Sequence, residues 1–262
     1  MSSAHWRRYA LWQARDYLID RGLATVLITV LFAYLTAAPL LLGIERTMQN
    51  MPARVIARYG SIEAARAAQL HDVNAMFLRS FLGVVVFLGA MMAMNGIAAN
   101  DRKQGYYRFL FSKAVSPLRF YGQAFLVGWA GFVAIVTALS LVYGALVAPI
   151  LTPQLILAVA VMFLLYAGIM FMLSASFPSD WLLLVLFTVL ASYLWDRWGT
   201  SPSIFHYLLY VLPPLSRTAD IYSAVGTGAP LDAWLLGWFG AYGAACAVAA
   251  LIVLRYRRLA IL

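Results

Sequence analysis

Charge is what this sequence has least of. Its 19 Lys and Arg and ten Asp and Glu amount to 11% of 262 residues, less than half of the roughly 25% usual in soluble domains. That excludes an ordinary water-soluble globule. Cysteine is nearly absent as well: Cys246 stands alone in an apolar run, so no intrachain disulfide and no cysteine-built metal site can form. The three histidines, His5, His71 and His206, fall in different loops or ends, a spacing that does not suit metal ligation. HExxH, GxSxG and the GxxxxGKS/T phosphate loop do not occur, and neither Lys103 nor Lys113 has a glycine frame. An intramembrane hydrolase has little to work with, and ATP, if it drives this protein, must be bound by another chain. No Asp, Glu, Lys or Arg stands in the middle of a long apolar run, which weakens an ion-coupled carrier.

Apolar side chains are what is abundant, at 64%. The fold class that follows is an all-α integral membrane protein, one membrane domain over residues 1–262 with no separate soluble domain. The net charge of +9 reads as Arg and Lys at the cytoplasmic ends of spans, with no nucleic acid involved.

In chain order, residues 1–21 carry Arg7, Arg8, Arg15 and Arg21 among Trp6, Tyr9, Trp12 and Tyr17. They lack the early apolar core of a signal peptide. Trp6, Ala10, Ala14, Tyr17 and Leu18 gather on one side of a helical wheel, which predicts an interfacial helix. Uncharged runs then predict six spans. Span one is 22–44, and an outer loop over 45–78 contains a helix starting near Ser61 as its N-cap. Span two is 79–100, followed by a cytoplasmic loop over 101–118. Spans three (119–148) and four (154–177) are separated by the turn-like APILTPQ. Span five, 180–196, has only 15 uncharged residues between Asp180 and Asp196, about 22 Å of helix against a hydrocarbon core of about 30 Å. It must recruit flanking residues, thin the bilayer or lead into a re-entrant piece. SIFHYLLYVL, closed by Pro213 and Pro214, suits the last option, so 197–231 reads as an outer or re-entrant segment. Span six is 232–254.

With the N-terminus inside, twelve of the 19 basic and four of the ten acidic residues lie on the cytoplasmic side. The positive-inside rule therefore predicts a multi-pass protein of the bacterial cytoplasmic (inner) membrane with both termini cytoplasmic.

The longest polar, basic interruption, DRKQGYYRFLFSKAVSP from Asp101 to Pro117, reads as a docking surface. A short helix bearing Tyr106, Tyr107, Arg108, Phe109 and Phe111 can seat in a partner's groove; alternatively these aromatics meet lipid headgroups. The stretch MNGIAANDRKQGYYRFLFSKAVSPLRFYGQAFLVG resembles the region joining the second and third spans in membrane subunits of ABC exporters of the type-2 permease class. There a span ends at an acidic-basic pair, a glycine follows, and a short helix leads to a "P/A-V-S" turn. Here these are Asp101-Arg102, Gly105, Tyr106 to Lys113 and Ala114-Val115-Ser116-Pro117. The acidic residue usual after the glycine is missing, and Tyr106, Tyr107 and Arg108 take its place. The order of an interfacial helix, six spans and a broken segment before the last extends the resemblance over the chain, with a longer outer loop.

The resemblance implies a permease dimer, formed with a second copy or a homologue and embedded in membrane lipids, that binds two copies of a separate ABC ATPase subunit. ATP and Mg would belong to that partner, with no cofactor in this chain. The ATPase-coupling residues would be Asp101, Arg102, Gly105, Tyr106, Tyr107, Arg108, Phe109, Lys113, Ser116 and Pro117, on a coupling helix between spans two and three. Spans one and five would face the dimer axis, making Thr25, Thr29, Tyr34, Thr188, Ser192 and Tyr193 candidates for a translocation path. Their hydroxyls can equally bond helix backbones. A mostly apolar path suits a lipid-like or amphipathic cargo. The rival readings are a non-transporting membrane scaffold or assembly factor and, further off, an intramembrane enzyme.

Overall fold

The computed structural model describes residues 3–49, 53–95, 97–99, 116–199, 209, 211–213 and 215–256. Among them there is no strand. The helices are α1 (Ser3–Asp16), a π-helical turn (Tyr17–Gly22), α2 (Leu23–Gln49), α3 (Ala53–Tyr59), α4 (Ile62–Met94) and α5 (Pro117–Leu146). They continue with α6 (Pro153–Ser176), α7 (Asp180–Trp198), a 3-10 turn (Leu215–Arg217), α8 (Thr218–Thr227) and α9 (Ala233–Tyr256). Among the described residues, six stretches are long and apolar enough to cross a membrane: Arg7–Leu35 and the helices α4, α5, α6, α7 and α9. The architecture is that of a multi-pass membrane protein.

The helix starts follow local chemistry. Gly60 at φ +80° turns the chain out of α3, a conformation that costs glycine nothing. Ser61 then caps α4, its Oγ accepting the Ala64 N–H at 3.0 Å, as the sequence predicts. Thr152 caps α6 in the same way, accepting the Leu155 N–H at 3.1 Å. Pro153 and Pro117 stand in the first turns of α6 and α5, where the missing N–H is not needed. Asp232 Oδ1 accepts the N–H groups of Trp234 and Leu235 at the head of α9.

Three features go beyond the sequence reading. The helix expected from Ser61 does not end before span two: α4 runs unbroken from Ile62 to Met94. The N-terminal helix does not end before span one: α1 passes through the π-turn into α2 as one helical run from Ser3 to Gln49. Finally, α8 is an extra short helix inside the segment read as outer or re-entrant.

α6 is the hub, packing on α4, α5, α7, α8 and α9. Its candidate span is 67% buried, against 11% for α7 and 17% for Arg7–Leu35. Phe132 and Phe125 of α5 stack on Phe163 and Phe171 of α6, with centroids 4.3 and 5.3 Å apart. α6 and α9 meet backbone to backbone: a Cβ on Gly168 would lie 2.1 Å from the Gly243 carbonyl oxygen, and one on Gly243 2.5 Å from that of Leu164. Only glycine permits that approach. The bundle has two ends. At the proximal end α4, α6 and α9 finish while α5 and α7 begin; at the distal end the directions reverse.

Candidate functional site: the proximal end of the bundle

Both flanks of the 100–115 stretch are anchored at the proximal end. α4 finishes at Met94, and the chain beyond it returns to α6, where Ser174 Oγ accepts the Ala98 and Ala99 N–H groups at 3.3 and 3.4 Å. Ser174 is fully buried in the last turn of α6. On the other flank, exposed Ser116 precedes Pro117, and its carbonyl accepts the Phe120 N–H at 3.0 Å as α5 begins. Of the expected coupling residues only Ser116 and Pro117 are described. Asp101, Arg102, Gly105, Tyr106, Tyr107, Arg108, Phe109 and Lys113 lie outside the described residues.

The N-terminal run ties these flanks together. Gln13 Nε2 donates to the Phe120 carbonyl at 3.3 Å. The π-turn then widens the helix by one residue per turn, which rotates the following side chains relative to an α-helix. Tyr17 enters the notch that glycine leaves on α5: a Cβ on Gly131 would lie 2.5 Å from the Tyr17 ring. Arg21 turns to α4, its guanidinium donating to the Ala93 carbonyl. That carbonyl belongs to the last turn of α4, where the helix runs out of N–H partners and which carries the negative end of its dipole. Arg21 therefore acts as a C-terminal cap supplied from 72 residues away. Asp180 completes the end: 1% exposed, it opens α7 and accepts the Trp181 N–H at 2.9 Å, a carboxylate at the positive end of a helix dipole. At this end, then, Arg21 is bonded to α4, Gln13 to α5, and the chain leaving α4 to Ser174 of α6.

The six expected path residues do not converge within one chain. Thr25 and Thr29 are buried at 2%. Thr25 Oγ1 donates to the Arg21 carbonyl at 2.9 Å, and Thr188 Oγ1 to that of Leu184 at 2.8 Å; both hydroxyls serve their own helices. Tyr34 and Tyr193 are exposed, and Ser192 is half-buried. α2 packs on α4 and α7 on α6, with no extensive α2–α7 contact among the described residues.

Sequence reasoning missed Arg21 as a cap, Ser174 as a tether and the Tyr222 contact. Ser174 had a signal, as a hydroxyl in the final turn of an apolar span; Arg21 had none, because its partner is a backbone atom. Tyr222 on α8 is buried beside Gly83 of α4. Burial, with the neighbouring Tyr166, pushes its phenol well above the ordinary value, so it stays neutral. Among the described residues, no three His, Cys, Asp or Glu gather into a group that could hold a metal ion.

Compared with known proteins, the chain matches no family model, no curated protein and no solved structure. Its functional reading therefore rests on its own residues and geometry.

Proposed function

We propose that this protein is the membrane subunit of an ATP-driven exporter of the type-2 ABC permease class. Two copies, or one copy and a homologue, would assemble with two copies of a separate ATPase subunit that binds ATP and Mg. The loop Asp101 to Pro117 receives the stroke on the cytoplasmic side of a bacterial inner membrane. The observation that supports this reading best is the tethering of both loop flanks to the proximal end, with Ser174 fastening the entry flank to the hub helix. Displacing such a loop moves packed helices rather than a slack connection. The outer faces of α2 and α7, exposed in the single chain, support the second copy, since a path lined from both helices closes only between two chains. Thr29, Tyr34, Ser192 and Tyr193 are then the residues to follow.

The test has two stages. Extraction in mild detergent is expected to co-purify an ATPase subunit; a stable, complete complex without one overturns the proposal. Tyr106→Ala with Arg108→Ala is then expected to weaken ATPase association and to abolish ATP-dependent cargo movement in vesicles. Association and transport that remain at wild-type level would remove the loop from the mechanism. A complex that binds the ATPase but moves no cargo under any condition would favour the scaffold reading.

A further inference from the structure

At the distal end, the first turns of α9 border an open cavity of about 470 Å³ lined by Ala233, Trp234, Gly237 and Trp238. Its aromatic wall is held in place. Trp238 meets Trp234 edge-on with centroids 4.9 Å apart and Trp195 of α7 at 5.6 Å. The Trp195 indole N–H donates to the Leu212 carbonyl at 3.1 Å. The floor is open because position 237 has no side chain, and a Cβ there would meet nothing within 4 Å. Below it, exposed Ala241 and Ala245 continue the same shallow track along α9. Asp232, next in the chain to Ala233 and accepting the Trp234 N–H, places a charged rim beside these lining residues: Arg217 lies 3.2 Å from Asp220 and 3.7 Å from Asp232, all three side chains about half exposed. Two carboxylates and one guanidinium leave the rim with a net charge of −1.

We propose that this groove holds one zwitterionic, ethanolamine-type phospholipid of the distal leaflet. An acyl chain would lie over Gly237 and along the alanine track, between indoles that favour the water–hydrocarbon boundary. The ammonium meets Asp220 and Asp232, and the phosphate faces Arg217. An anionic glycerol headgroup lacks the ammonium and meets a rim of its own sign, so charge complementarity selects between the two lipids. Tryptophans that only anchor a helix at the interface need neither a cavity nor such a rim. The inference is independent of ATP coupling, because the lipid is read without nucleotide or partner.

The test reconstitutes the full chain with phosphatidylethanolamine or phosphatidylglycerol carrying brominated acyl chains and follows quenching of indole fluorescence. Wild type is expected to show a saturable component, half-complete at an ethanolamine-lipid fraction about three- to fivefold below that for the glycerol lipid, the size that one or two exposed ion pairs provide. Asp220→Asn with Asp232→Asn removes the preference while asparagine keeps the α9 cap. Gly237→Phe fills the track and removes the saturable component. Quenching that rises equally and without saturation for both lipids overturns the proposal, as does a preference that survives the double asparagine variant. A Gly237→Phe protein that changes oligomeric state but keeps its lipid selectivity also overturns it, in favour of a second copy in the groove.

Discussion

α6 and α7 are neighbours in sequence, joined only by Phe177, Pro178 and Ser179, yet they occupy opposite situations. α6 is 67% buried in its spanning window and touches most of the bundle. α7 is 11% buried and turns Leu182, Leu186, Val189, Leu190 and Tyr193 outward. Both are apolar enough to cross a bilayer. The lesson is that apolarity here buys only entry into the membrane; position within the bundle is decided by shape. Hydrocarbon solvates leucine about as well as a protein core does, so helices associate where small residues let backbones approach and polar groups find partners.

The comparison breaks most completely at the glycine contact. Gly168→Leu drives a side chain into the Gly243 carbonyl and should cost about 3 kcal/mol or more. It is expected to appear as loss of the monodisperse peak in fluorescence-detected size-exclusion chromatography. Phe163→Ala, at the fully buried stack with Phe132, should cost about 3 kcal/mol, read as a lowered melting temperature in detergent. Leu186→Ala on α7 should stay within about 0.5 kcal/mol. Equal losses in the last two would erase the contrast between hub and periphery.

Smaller effects sharpen it at the proximal end. Arg21→Gln leaves the Ala93 carbonyl without its charged donor and should cost about 1.5 to 2 kcal/mol; unchanged melting would show that the cap contributes nothing. Ser174→Ala should cost about 1 kcal/mol in stability, through the bonds to the Ala98 and Ala99 N–H groups that it removes. If the proximal end transmits the stroke, the same variant should lose much more of its cargo-dependent ATPase activity, measured in the assembled complex, than this stability change accounts for. Parallel losses would make Ser174 a structural tether only.

Much of the architecture was legible because strong local rules governed it. In hydrocarbon every backbone N–H and C=O must be bonded within its own segment, so long uncharged runs have to be helices. The cap at Ser61 and the breaks around Pro149, Pro153 and Pro178 follow from side-chain and ring chemistry within a few residues. The candidate site was less legible. Thr25 and Thr188 were read as possible path residues but bond their own helices, a use the same hydroxyl pattern equally allows. Arg21 looked like an interfacial anchor, since nothing in its neighbourhood announces a carbonyl contributed by another helix. α8 was merged into the 197–231 segment because ten residues are too few for a periodic pattern to stand out, and its burial comes from Tyr222 and Gly226 against α4.

The sequence by itself determined that this is a helical membrane protein with six spanning stretches, where most of its turns fall, and the basic loop that motivates the functional proposal. Those properties depend on composition and on interactions within one turn of helix. Only the tertiary structure decided that α6 is the hub and α7 the periphery, that Arg21 caps α4, and that two tryptophans of α9, one of them packed on Trp195 of α7, line a cavity beside charged side chains. Each depends on contacts between residues far apart in the chain, made by shape and single hydrogen bonds that a hydropathy pattern does not encode.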